Sequence, residues 1–140
     1  DEELSEAVGL KHSISVLKEG LYAAKHGATA MHDVTEGGVL GAAWELAQAS
    51  GCGIIIEKSA VPIHPVTKKI CEQLGIDPLK LISSGSMLIA CKQGTDLVYG
   101  LNSIGVPAAV IGQAKGTDVR FSNGTLIDPP GADELYKLIK

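Results

Sequence analysis

The sequence has little that points to a nucleic acid or a membrane as a partner. Of its 140 residues, 12 are Lys or Arg and 16 are Asp or Glu, so the formal net charge is −4. A negative net charge disfavours binding to the phosphate backbone of a nucleic acid. No apolar run approaches the roughly 20 residues of a membrane-spanning helix, and no charged segment followed by an apolar one opens the chain. We therefore expect a cytoplasmic protein that binds neither nucleic acid nor membrane.

Cysteine is scarce too, and its placement indicates reduced thiols rather than disulfides. Cys52, Cys71 and Cys91 form no CxxC pair and lie in apolar or helical stretches. None of the four histidines pairs with a Cys or another His at metal-ligand spacing, so no metal site is predicted; they are His12, His26, His32 and His64. The chain also lacks a Gly-x-Ser-x-Gly elbow, and no catalytic residue is singled out.

What the chain does have is a 45% hydrophobic composition and 17 glycines that separate short patterned segments. This length and composition predict a single domain over residues 1–140. Hydrophobic periodicity predicts helices and strands in alternation. The helices fall at 11–26, 37–49, 66–74, 95–104 and 132–140, with a further helical turn at 78–81. The strands fall at 28–31, 52–57, 86–91 and 108–114, followed by a hairpin of 119–121 and 125–127.

The most informative segment is the seven-residue stretch 32–38, His-Asp-Val-Thr-Glu-Gly-Gly, at the start of the second helix. Two glycines there leave backbone N–H groups uncovered, and a helix N-terminus carries partial positive charge, so the turn can face a phosphate. Two other interpretations stay open. Asp33 and Glu36 have the spacing of a capping box, and Gly37, Gly38 and Gly41 can simply allow close packing.

Two neighbouring features have a functional and a structural interpretation. The run 83–86, Ser-Ser-Gly-Ser, precedes a buried strand and can form a second edge of a phosphate pocket, or it is a plain loop. His32, beside Asp33, has the chemistry for acid–base catalysis, but a histidine at the end of a buried strand is more often structural.

The order of several blocks resembles the C-terminal domain of the AIR synthase superfamily, especially its hydrogenase-maturation carbamoyl dehydratase (HypE-like) branch. The resemblance covers about residues 30–130. It is carried by Asp33-Val34-Thr35-x-Gly37-Gly38, Gly51-x-Gly53-Ile54, Val61-Pro62-Ile63, Leu74-Gly75-Ile76-Asp77-Pro78 and Ser84-Gly85-x-Met87-Leu88. Together with the segment order, it implies an α/β fold with a mixed sheet of about five or six strands and helices on both faces.

The resemblance also implies a function. Superfamily members use ATP to phosphorylate an oxygen or selenium nucleophile, and their C-terminal domain faces the nucleotide phosphates. By this resemblance, together with the loop interpretation of 83–86, the expected nucleotide-contacting residues are Asp33, Thr35, Gly37, Gly38, Ser84 and Gly85. The family's N-terminal domain supplies the Mg²⁺-binding acidic residues, most of the ATP cleft and the dimer interface. It is absent from this chain, so this domain alone is not expected to turn over ATP.

The resemblance implies as partners the chain's own N-terminal domain, a second copy in a homodimer, and a hydrogenase-maturation protein.

One departure from the family bears on the chemistry. Hydrogenase-maturation members end in a cysteine that accepts the carbamoyl group, whereas this chain ends Leu138-Ile139-Lys140 and its last cysteine is Cys91. The alternatives are a non-catalytic assembly module of the same fold and a small-molecule kinase of the thiamine-phosphate type.

Overall fold

The computed structural model describes residues 2–139, in which helices and strands alternate. The helices are α1 (Glu2–Gly9), α2 (Leu17–Lys25), α3 (Gly38–Ser50), α4 (Pro65–Leu74) and α5 (Gly94–Ser103). The strands are β1 (Ala28–Val34), β2 (Ile54–Ile56), β3 (Ser86–Cys91), β4 (Gly112–Ala114) and β5 (Val119–Phe121). Short 3-10 helices lie at Leu10–Ser13, Lys58–Ala60 and Glu134–Lys137.

These strands form two sheets. β1 and β3 pair antiparallel, and β2 lies between β4, to which it is antiparallel, and β5, to which it is parallel. Helices cover both faces of the β1–β3 pair: Leu88 packs into the cluster that includes α3, and the next residue, Ile89, packs with α2 and α5. The predicted α/β class and number of strands are confirmed, but the predicted single sheet is divided in two.

The division occurs where the predicted strand 108–114 fails to form over its first half. Pro107 has no amide to donate, and the amide of Ala108 donates to the side-chain oxygen of Asn102 at the end of α5, at 3.1 Å. Regular pairing therefore starts only at Gly112. An apolar cavity of about 780 Å³ remains, lined by β2, β3 and the segment 106–111 among others.

The larger core cluster is built around α3. Its buried members come from α3, β2, β5 and two loops, and they are Leu40, Ala43, Ala47, Ile56, Leu79, Val119 and Ile127. Fully burying one such Leu or Ile side chain contributes about 1.5–3 kcal/mol. A smaller cluster joins Ala23 of α2 to Leu97 and Leu101 of α5. The position of α3 is therefore fixed by its packing along most of its length.

Local signals located most elements well. The predicted strand 86–91 is confirmed, as are the helices predicted at 37–49, 66–74 and 95–104, each to within about one residue. The predicted hairpin is found in part: its first strand is β5, but the strand predicted at 125–127 is reduced to a single bridge between Arg120 and Leu126. The amide of Phe121 donates to the carbonyl of Thr125 at 2.9 Å. Its Asn123-Gly124 turn has the positive φ that only glycine adopts readily, +91° at Gly124.

Four other predictions need correction. The helix predicted at 11–26 begins only at Leu17, because Leu10–Ser13 is a 3-10 helix, and the strand predicted at 28–31 continues to Val34. Residues 78–81 form a turn rather than a helix, with the Asp77 side chain accepting from the Leu79 amide at 2.9 Å. Finally, the prediction of a helix at 132–140 is wrong over residues 132–139, the part of this segment that the structure describes.

In that tail the only regular element described is the short 3-10 helix Glu134–Lys137. The predicted apolar face, made of Leu135, Leu138 and Ile139, is exposed. Asp133 and Glu134 are buried instead, at 4% and 5% exposure, because backbone amides and a lysine satisfy their carboxylates. Residue 140, the end of the predicted helix, lies outside the described residues.

Gly38 provides a test of this packing. It has φ +62°, and a Cβ there would lie 2.5 Å from the carbonyl oxygen of Leu79 and 2.7 Å from that of Leu81. We expect Gly38→Ala to lower the free energy of unfolding by about 3 kcal/mol or more, since left-handed strain and a backbone collision add together. Chemical denaturation measures the change.

Gly51→Ala is the matched control, because Gly51 follows the same helix at φ +60° and a Cβ there would meet nothing within 4 Å. Strain alone acts there, so we expect a loss of about 1–2 kcal/mol. Equal losses for the two variants would show that the 79–81 backbone does not constrain Gly38.

Candidate functional site

The glycine-rich turn lies between β1 and α3. β1 ends at Val34, Thr35 and Glu36 follow, and Gly37 has φ +77° immediately before the first residue of α3. Two successive positive φ values, at Gly37 and Gly38, reverse the chain so that α3 runs back over the β1–β3 sheet. Here the glycines are required by backbone conformation, whatever else they do.

The strand register brings the second predicted segment to the same place. Val34 is opposite Ser86, and Asp33 is opposite Met87. Ser84 and Gly85 immediately precede β3, so they lie at the same end of the sheet as the end of β1. The structure therefore places Asp33 and Thr35 on one side of this end and Ser84 and Gly85 on the other.

The six predicted site residues differ in exposure. Asp33, Thr35 and Ser84 are exposed, Gly37 and Gly85 are half-buried, and Gly38 is buried. Gly38 thus shapes the turn by close packing. Gly85 is packed closely too, since a Cβ there would collide with the carbonyl oxygen of Ser13. The exposed residues, Asp33, Thr35 and Ser84, are within reach of a ligand that approaches this end of the sheet.

The amides of the turn already have partners. Gly37 donates to a carboxylate oxygen of Asp133 at 2.7 Å, Gly38 donates to the carbonyl of Thr35 at 3.1 Å, and Leu40 donates to the carbonyl of Leu79 at 3.1 Å. The prediction of uncovered amides is therefore wrong for these three groups. The carboxylate bonded to Gly37 nevertheless shows that this amide donates to an anionic oxygen.

The capping-box interpretation is wrong as well. The first turn of α3 has no side-chain cap from its own N-cap residue, and Asp33 is exposed. Glu36 instead accepts a hydrogen bond from the hydroxyl of Tyr136 at 3.3 Å. The negative charge of Glu36 raises the pKa of the Tyr136 phenol. The cap comes from Asp133, which is 96 residues away from Gly37.

Asp133 and Glu134 are the functional candidates that sequence reasoning missed. The second oxygen of Asp133 accepts from the amide of Leu135 at 2.8 Å, which caps the 3-10 helix of the tail. Glu134 accepts from the Asp77 amide at 3.2 Å and from Lys137 at 2.7 and 2.8 Å. The hydrogen bond from Lys137 lowers the pKa of Glu134. An Asp before a short helix is a local cap signal, but nothing local indicates its bond to Gly37.

Two cavities adjoin this end of the sheet. One of about 40 Å³ lies beside Gly37 and is lined also by Gly41, Lys80 and Pro130, so it has room for water but not for a nucleotide. The other is the cavity of about 780 Å³, which Ser84 and Gly85 line and which has the size of ordinary ligand pockets. No local pattern in the chain indicated that Lys80 would lie at the turn.

His32 has the structural role that its position in a strand favours. Its Nδ1 lies 2.6 Å from the carbonyl oxygen of Asp33, and its Nε2 lies 2.9 Å from the carboxylate of Glu45 on α3. Both ring nitrogens are therefore engaged within the chain.

Among residues 2–139, no three His, Cys, Asp or Glu side chains are grouped in a way that would hold a metal ion. No helix in the described part of the chain combines the length and apolarity needed to cross a bilayer.

Comparison with known proteins places this geometry in a family. Residues 2–122 match the family model described as AIR synthase related protein, C-terminal domain. Carbamoyl dehydratase HypE of Escherichia coli K12 is 36% identical over 121 residues, covering 80% of this chain and 36% of that protein. The crystal structure of E. coli HypE has a TM-score of 0.74 at 33% identity and covers 88% of this chain and 42% of that one.

Two further solved structures are similar. The crystal structure of a HypE–HypF complex matches with a TM-score of 0.68 at 26% identity, covering 78% of this chain and 39% of that one. AaThiL complexed with AMPPCP and TMP matches with a TM-score of 0.60 at 26% identity, covering 78% and 35%. This chain therefore spans well under half the length of the proteins that it resembles.

Glu134 predicts a pH dependence of stability. Its pKa is lowered in the folded chain, so the stabilisation from its carboxylate is present above the unfolded-state pKa and is lost as pH falls through the folded-state value. We expect Glu134→Gln to destabilise the chain at neutral pH, with the difference from wild type disappearing in acid. Denaturant unfolding across a pH series measures it.

Glu72→Gln is the control for that series, because Glu72 is an exposed glutamate of α4. Its substitution removes the same charge without breaking a buried contact. A stability difference for Glu134→Gln that is independent of pH, or that matches the Glu72→Gln profile, would contradict the role assigned to the Glu134 carboxylate.

Proposed function

Because this chain belongs to the family of AIR synthase related protein C-terminal domains, we propose that it is the phosphate-facing domain of an ATP-dependent enzyme. The enzyme would phosphorylate an oxygen of a small or protein-borne substrate, as a HypE-like hydrogenase-maturation protein or an AIR synthase-related protein. The observation that carries the proposal is the convergence of the glycine turn and the 84–85 loop at one end of the β1–β3 sheet.

The chemistry of the exposed groups supports this proposal. Phosphoryl transfer depends chiefly on positioning and on stabilising charge, which hydroxyl and amide donors at a helix start provide. Thr35 and Ser84 present exposed hydroxyls, the Gly37 amide donates to a carboxylate, and Lys80 lies beside the turn. In our proposal Asp33, Thr35, Gly37, Ser84 and Gly85 contact the nucleotide, and Gly38 fixes the shape of the turn.

Similar proteins agree with a nucleotide and a partner protein, and their greater length agrees with a further domain. AaThiL was solved with AMPPCP and TMP, and HypE was solved in complex with HypF. We propose ATP as the cofactor, an N-terminal domain as the first partner, and a homodimer and a hydrogenase-maturation protein as further partners. We also propose a cytoplasmic location, in agreement with three free cysteines among the described residues.

The residues described do not form a magnesium site. Asp33 is an exposed carboxylate near the proposed phosphate position, but no cluster of three potential ligands surrounds it in residues 2–139. Mg²⁺ usually binds through one or two carboxylates together with substrate phosphates. We therefore assign Mg²⁺ binding to the proposed N-terminal domain.

A second candidate function is favoured by the packing at Gly38. The 79–81 backbone leaves no space for a side chain there, and the Gly37 amide is already bonded to Asp133. An assembly module with no catalytic role would need the same glycines. A third candidate, a small-molecule kinase like thiamine-phosphate kinase, rests on the likeness to AaThiL and predicts ADP release that depends on one phosphorylatable metabolite.

ATP affinity separates the two ATP-dependent candidates from the assembly module. In the chain joined to its proposed N-terminal domain, we expect Thr35→Ala and Ser84→Ala each to weaken ATP binding by about fivefold to tenfold, since a hydrogen bond contributes roughly 1 kcal/mol. Isothermal titration calorimetry measures the affinities. Stability is expected to change little, because both side chains are exposed.

Thr95→Ala serves as the control, since Thr95 is an exposed threonine at the start of α5, outside the β1–β3 end. It should leave ATP affinity unchanged. ATP binding that is indifferent to all three substitutions, or no binding at all, would count against the enzyme and in favour of the assembly module.

A further inference from the structure

The tail of the chain lies over the glycine turn. A Cβ at Gly37 would lie 3.5 Å from the Pro130 side chain, and one at Gly41 would lie 3.6 Å from it. The small cavity beside Gly37 is lined on its other side by residues 127–132. We call residues 128–137 the tail strap. It covers the amide that the proposed function requires for phosphate.

The strap places an anion on that amide. Asp133 is 4% exposed, and one of its carboxylate oxygens accepts from Gly37 at 2.7 Å. Its other oxygen accepts from the Leu135 amide at 2.8 Å, which fixes the orientation of the carboxylate. A carboxylate oxygen on a helix-start amide has the charge and geometry of a phosphate oxygen. The two anions therefore exclude each other at Gly37.

Polar contacts, rather than apolar burial, hold the strap around Asp133. Glu134 accepts from the Asp77 amide, its own amide donates to the Lys80 carbonyl at 3.4 Å, and the Tyr136 hydroxyl donates to Glu36. The apolar side chains at this end of the tail are exposed; they are Leu135, Tyr136, Leu138 and Ile139. Lifting this part of the strap therefore exchanges hydrogen bonds with water and uncovers little apolar surface.

From these contacts we propose that the strap is an autoinhibitory contact: Asp133 occupies the Gly37 amide as an internal anion and must leave before a phosphate oxygen binds there. This inference rests on the proposed function, because it concerns the same turn. When the strap lifts, the Gly37 amide becomes available beside Lys80, which is exposed already. Nucleotide binding and tail docking are then mutually exclusive.

Asp133→Asn tests the proposal, because it keeps the shape of the side chain and removes its charge. The substitution removes the anion that competes with phosphate. We therefore expect ATP to bind the 140-residue chain about tenfold more tightly, with the largest chemical-shift change at the Gly37 amide. Asp128→Asn is the control: Asp128 is an exposed residue of the strap beside the same small cavity, so its substitution removes one negative charge and leaves Asp133 on Gly37. Amide NMR titration with ATP follows both variants.

A gain for Asp133→Asn that exceeds the gain for Asp128→Asn supports the proposal. Equal gains would show a general charge effect and overturn it. Absence of ATP-induced shifts in every form of this chain would also overturn it, while ATP binding by the protein with its N-terminal domain would leave the proposed function standing.

A measurement on the wild-type chain keeps the test valid if Asp133→Asn fails to fold. The Asp77 amide is protected by its bond to Glu134 of the strap, so saturating ATP should raise its hydrogen-exchange rate as the strap lifts. Gly124, in the distant hairpin turn, serves as the reference amide and should not change. An unchanged or slower rate at Asp77 with ATP bound would overturn the proposal.

Discussion

The bond between the Gly37 amide and the Asp133 carboxylate joins the fold of this domain to its proposed function. It caps α3, the helix around which the larger core cluster is built, and it fixes the tail over the turn between β1 and α3. Because the acceptor is charged and almost fully buried, the contact is stronger than an ordinary exposed hydrogen bond. The same contact therefore stabilises the described fold and occupies the group to which we assign phosphate binding.

The glycines of the turn have separate roles. Gly38 is required because the 79–81 backbone approaches within van der Waals distance, so its lack of a side chain reflects packing. Gly37 has a positive φ and an amide that meets an anionic oxygen. The contacts of each glycine therefore separate the packing constraint at Gly38 from the binding role that we propose for Gly37. The packing role alone does not make the domain an enzyme.

Sequence reasoning succeeded where the physics is local. The β-branched run Ile54–Ile56 and the Asn123-Gly124 turn carry their conformational preference in adjacent residues, so both were predicted correctly. The tail misled, because helical spacing of Leu135, Leu138 and Ile139 resembles an amphipathic helix although these side chains are exposed. The Gly37–Asp133 bond joins residues 96 positions apart, and no local pattern encodes it. The approach of Ser84 to the glycine turn likewise depends on the β1–β3 register.

The most direct test of the phosphate-binding role is a crystal structure of this chain with the nucleotide analogue AMPPCP. We expect phosphate oxygens at the end of the β1–β3 sheet, within hydrogen-bond distance of the Gly37 amide, and Asp133 displaced from it. A structure in which the nucleotide lies elsewhere while Asp133 remains on Gly37 would contradict that role. The turn would then be a packing device of the fold.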